Sequence, residues 1–82
     1  MIDHNTPIPL YQQLADTLAE EIRRGVYGPG SKLPSENTLC QEHLVSRITV
    51  RQAMNLLSQK NLIQSVHGKG SFVKQPEIQH GL

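Results

Sequence analysis

Arg47 and Arg51 stand four residues apart, with Thr49, Gln52 and Asn55 close by. At about 100° per residue on a helix, that spacing puts the guanidiniums one turn apart. Arg51, Asn55, Ile48 and Gln52 then fall on or near one side, with Arg47 on one flank and Thr49 on the other. Guanidinium, carboxamide and hydroxyl groups match the donor and acceptor pattern of DNA's major groove, and an arginine serves a phosphate equally well. A polar helix face standing alone is more often ordinary solvated surface. Here a short helix precedes it and a basic hairpin follows, which reverses that balance. The hairpin tip, His67-Gly68-Lys69-Gly70, is a second cationic cluster. Its glycines let a backbone come close, Lys69 suits a phosphate, and His67 suits a hydrogen bond in a minor groove. The plainer alternative, strongest for His67, is a glycine turn with two solvated side chains.

Other chemistries fit poorly. Gly68-Lys69-Gly70 lacks the longer spacing of a nucleotide-binding loop and the helical Ser or Thr that follows it. His4, His43, His67 and His80 lie far apart, and Cys40 is the only cysteine, so neither a metal site nor an intrachain disulfide is expected. Cys40 reads as a small core residue. No acid pair or Ser/His/Asp arrangement stands at an informative spacing, so an enzyme is not expected, nor is a cofactor.

The polar residues need elements to hold them. Leu10, Leu14, Leu18 and Ile22, with Ala15 and Ala19, form the apolar stripe of a first helix. Pro9 suits its first position, Arg23 and Arg24 its last turn, and Gly25 a left-handed end. Gly28-Pro29-Gly30 is a turn, and Pro34 restricts Ser31 to Pro34 to a short extended piece at most. Ser35 and Glu36 open a short helix to about His43, with Leu39 and Cys40 inward. Ser46 caps the next helix, in which Val50, Ala53, Met54 and Leu57 share a face. Asn61 is suited to end it in the left-handed conformation. Only Leu44 and Val45 separate the two helices, a helix-turn-helix spacing. Two β-prone runs, Leu62 to Val66 and Ser71 to Val73, then form a hairpin. Residues 75–82 read as a tail or the start of a linker.

Eighty-two residues allow one small domain, occupying 1–74 by these boundaries, and that length excludes most enzyme architectures. No apolar run approaches the roughly 18 residues of a membrane span, and Met1 to Leu10 lacks the features of a secretory leader, so a cytoplasmic protein is expected. The net charge of +1 conceals an asymmetry. Through His43, three bases face six acids; from Leu44 onward, five bases face only Glu77. An anionic partner on one side of the molecule is the natural reading.

Four ordered motifs now carry a resemblance. Pro9-Leu10-Tyr11-Gln12-Gln13-Leu14, Gly30-Ser31-Lys32-Leu33-Pro34-Ser35-Glu36, Val45-Ser46-Arg47-Ile48-Thr49-Val50-Arg51-Gln52-Ala53 and Gly68-Lys69-Gly70-Ser71-Phe72-Val73 resemble the GntR family of bacterial transcriptional regulators. The first motif leans toward the HutC-like subfamily. The resemblance implies a mainly α fold with a small β-hairpin, a winged helix-turn-helix. Its recognition helix would run from Ser46 to about Lys60, with a wing at 67–70. By position it implies DNA contacts at Arg47, Thr49 and Arg51, and at His67, Gly68 and Lys69 in the wing. Ile48 takes a variable, base-facing position, where apolar contact with a thymine methyl is its expected use. Gln52 completes that face.

The chain departs from the family pattern in three places. Asn37 stands where an arginine is usual early in the second helix, so the DNA contact the resemblance implies there falls to an uncharged amide. Leu44 stands where glycine often precedes Val45. A left-handed leucine costs about 1 kcal/mol, so a different turn geometry is expected there. Gln64 and Ser65 replace common basic residues, leaving Lys69 as the main wing charge.

The resemblance further implies a DNA-binding domain of a regulator, most often a repressor, with double-stranded DNA as partner. Full-length members carry an effector-binding domain of the UTRA type beyond a linker, and this chain stops where such a linker would begin. A homodimer on a pseudo-palindromic operator and a small-molecule effector are therefore expected of the longer protein. The rival expectation is a winged helix serving protein interaction or RNA binding.

Overall fold

The computed structural model describes residues 2–75. Three helices, α1 (Leu10–Arg23), α2 (Glu36–His43) and α3 (Arg47–Gln59), precede a hairpin of β1 (Ile63–Val66) and β2 (Gly70–Val73). The tail read at 75–82 lies outside the described residues except for Gln75.

Local chemistry marks each helix end. Pro9 lies just before the first helical residue, and its carbonyl accepts from the amides of Gln12 and Gln13, both at 3.1 Å. Ser35 Oγ accepts from Thr38 N–H at 3.2 Å and Ser46 Oγ from Thr49 N–H at 3.1 Å, so both expected serine caps form. All three helices close through a left-handed residue: Gly25 (φ 86°), Leu44 (φ 55°) and Asn61 (φ 62°). After each, the next amide reaches back five residues: Val26 to Glu21 O, Val45 to Cys40 O and Leu62 to Leu57 O. That pairing satisfies carbonyls the helix leaves open. The different turn geometry expected at Leu44 is thus corrected: the leucine itself goes left-handed. Its side chain is 77% exposed, so the conformation meets no crowding beyond its own backbone.

The apolar stripes meet in one core. Leu14, Leu18, Leu39, Val50, Leu57 and Ile63 are its largest fully buried side chains, drawn from all three helices and β1. Met54 and Cys40 are only half-buried and pack against its edge. By packing on α1 and α2, α3 buries Val50, Ala53 and Leu57 and turns its polar side outward.

In the hairpin Ile63 pairs with Val73 and Val66 with Gly70, in antiparallel register. Leu62, expected to start the first strand, instead closes α3. The extended piece after the turn joins the sheet. Lys32 bridges Phe72, Leu33 N–H donates to Ser71 O at 2.9 Å, and Val73 N–H donates to Ser31 O at 2.9 Å. Leu33, buried beneath, anchors this segment to the core.

Candidate nucleic-acid interface

Because Ser46 ties down the first turn of α3, the residues after it project from a fixed helix end. Ile48 is 68% exposed, and the Arg47 and Arg51 side chains are 54% and 60% exposed. Gln52 and Asn55 are exposed as well. Thr49 is half-buried, and its hydroxyl accepts from Ser46 Oγ at 3.0 Å, which leaves its own O–H available to a phosphate.

Between the first turn of α2, the outer side of α3 and the wing lies an open groove of about 680 Å³. Arg47, Arg51, Asn37, Lys69 and Gly68 line it, so five of the expected contact residues come together. Ile48, Thr49, Gln52 and His67 do not line it. Ile48 and Gln52 lie exposed elsewhere on α3, and His67 is exposed in the wing turn.

In the sequence Glu36 is a helix-opening acid, but the fold sets it between the two arginines. Arg51 Nε donates to Glu36 Oε2 at 3.0 Å, and Arg47 Nε is 4.0 Å from Glu36 Oε1. Arg47 Nη2 donates to Asn37 Oδ1. Exposed pairs of this kind contribute at most about 1 kcal/mol, so their main effect is on where the guanidiniums point. The usable signal was topological: a tight turn lays the start of α2 across the start of α3. Elsewhere, burial and the carboxylates of Glu21 and Glu42 raise the Tyr27 hydroxyl above its ordinary value, and Tyr27 does not line the groove.

Charge follows the same geometry. Lys32, Arg47, Arg51 and Lys69 line the groove against a single acid, Glu36. The groove is cationic, the character an anionic polymer requires.

A tight helix pair on a third helix, followed by a β-hairpin, is a winged helix-turn-helix. The sequence model described as "Bacterial regulatory proteins, gntR family" matches residues 10–73. The chain is 43% identical over 82 residues to the HTH-type transcriptional regulator YurK of Bacillus subtilis (strain 168), covering 100% of this chain and 34% of that protein. It is 42% identical to the mannosyl-D-glycerate transport/metabolism system repressor MngR of Escherichia coli (strain K12), over 90% of this chain and 31% of MngR. Among solved structures, AraR(DBD) in complex with operator ORR3 superposes with a TM-score of 0.79 at 36% identity, covering 89% of this chain and 88% of that one. The chain belongs to the gntR family of bacterial regulatory proteins, a family of transcriptional regulators rather than enzymes. It spans about a third of the length of the curated relatives it matches. No helix among the described residues is long and apolar enough to cross a membrane.

Proposed function

We propose that this chain recognises a specific operator sequence in double-stranded DNA, as the reading domain of a transcriptional repressor. The carrying observation is the exposure of Arg47 and Arg51 on the first turns of α3, on a cationic groove shared with the wing. In this reading α3 enters the major groove and the wing at 67–70 meets the adjacent backbone or minor groove. Arg51, held through Nε by Glu36, keeps both terminal nitrogens for guanine O6 and N7. Arg47, with one terminal nitrogen held by Asn37, takes a single base or phosphate contact. Thr49 and Lys69 serve phosphates, Ile48 a thymine methyl, Gln52 a base edge, and His67 and Gly68 the approach of the wing.

MngR is a repressor, and the AraR domain is bound to an operator; both support this assignment. The greater length of the relatives supports a longer protein in which residues 75–82 begin a linker to an effector-binding domain. Such a protein would bind as a homodimer on a pseudo-palindromic site, released or recruited by a small molecule with different affinity for the two arrangements.

Selection of the chain against a random duplex pool at low salt tests the proposal. Enrichment of one half of a palindrome, or of the whole, is expected. Salt-sensitive binding with no enriched sequence contradicts specific reading. Failure to bind any duplex would leave protein or RNA as the partner.

A further inference from the structure

Lys32 belongs to the acidic half of the sequence, yet the fold carries it to the basic face. Its bridge to Phe72, with the flanking bonds of Ser31 and Leu33 to β2, fixes its backbone on the outer edge of the wing. Side chains alternate along an extended segment, so buried Leu33 obliges Lys32 to point outward. Its stem then crosses Gly70. A Cβ on Gly70 would stand 2.8 Å from Lys32 Cε and 3.6 Å from Nζ, and the φ of 120° at Gly70 suits glycine. Glycine at this position leaves room for the ammonium over the start of β2, one residue from Lys69.

We propose that Lys32 is a further phosphate-binding residue of this domain, an assignment that rests on the DNA-binding reading above. Lys32 lines the same groove as Arg47, Arg51 and Lys69. Among the described residues it has no carboxylate partner, since Glu36, the groove's one acid, is bonded to Arg51. Among the described residues its ammonium donates no hydrogen bond, and an ammonium meets phosphate as a point charge without needing one orientation. With α3 in the major groove, the strand bordering that groove passes between helix and wing. Lys32 and Lys69 face it from the wing side, which restores there a cation that Gln64 and Ser65 do not supply. The same residue opens the family-like run Lys32-Leu33-Pro34-Ser35-Glu36, so a single segment both braces the wing and charges the groove.

The test compares the unaltered chain with Lys32→Met, Lys32→Arg and Lys60→Met. Each is titrated with a short mixed-sequence duplex at several salt concentrations, with thermal melting alongside. Methionine preserves the stem over Gly70 and removes the charge, while Lys60 at the end of α3 lies outside the groove. Lys32→Met is expected to reduce the slope of log affinity against log salt by about 0.9, with Lys32→Arg and Lys60→Met both keeping the original slope. An unchanged slope in Lys32→Met, or an equal drop in Lys60→Met, overturns the assignment while leaving DNA binding intact. No salt-dependent binding by the unaltered chain would overturn the DNA-binding reading and the assignment with it.

Discussion

Glu36 Oε2 accepts a hydrogen bond from Arg51 Nε at 3.0 Å, although fifteen residues separate them. The bond spans the tight turn and ties the opening of α2 to the reading face of α3. Glu36 is exposed enough for this tie to add little stability, and one acid inside a cationic groove weakens attraction for DNA. Its value lies in aiming Arg51. Glu36→Ala should therefore raise affinity for scrambled DNA and reduce the ratio of operator to scrambled binding. Glu36→Gln, which can still accept from Nε, should keep more of that ratio. Equal changes on both duplexes would reduce Glu36 to a charge.

Arg51→Ala should cost about 1 to 3 kcal/mol on the operator and relax preference at one base pair. Titration of operators substituted one position at a time reads this directly. A loss uniform over all sequences would move Arg51 to the phosphate backbone.

Asn37 accepts from Arg47 at the position where the family resemblance implies an arginine. Asn37→Arg should release Arg47, place a like charge beside it, and add a cation to the groove. The salt slope should steepen by about 0.9 and binding to scrambled DNA should tighten. A slope equal to that of the unaltered chain would mean that position 37 does not reach the duplex.

Leu44 is left-handed and 77% exposed. Releasing that strain recovers about 1 to 2 kcal/mol, less the roughly 0.5 to 1 kcal/mol that a flexible glycine costs through the unfolded chain. Leu44→Gly should thus stabilise the domain by about 0.5 to 1 kcal/mol and raise Tm by a few degrees at unchanged DNA affinity. A lower Tm would show that the Leu44 side chain contributes packing its exposure conceals.

Much of this was legible because it is local. Ser35 and Ser46 cap their helices, Gly25 and Asn61 end theirs left-handed, and the spacing of Leu14, Leu18, Val50 and Leu57 names the buried faces. Arg47 and Arg51 could be placed on the exposed side for the same reason. What escaped depends on contacts distant in sequence. Glu36 looked like a helix-opening acid until the turn laid it against α3, and Lys32 counted with the acidic half until the sheet carried it to the wing. Leu44 escaped differently: propensity argued against a left-handed leucine, and the bonds of Leu44 N–H and Val45 N–H to Cys40 O outweighed that strain.

The most direct test of the central claim is the affinity ratio between an enriched duplex and its scramble at fixed low salt, for the unaltered chain and for a double variant carrying Arg47→Ala and Arg51→Ala. Sequence reading by α3 predicts a ratio well above one that falls toward one in the double variant, while some salt-sensitive binding survives in both. A ratio near one for the unaltered chain, or one that the double variant leaves intact, would contradict it.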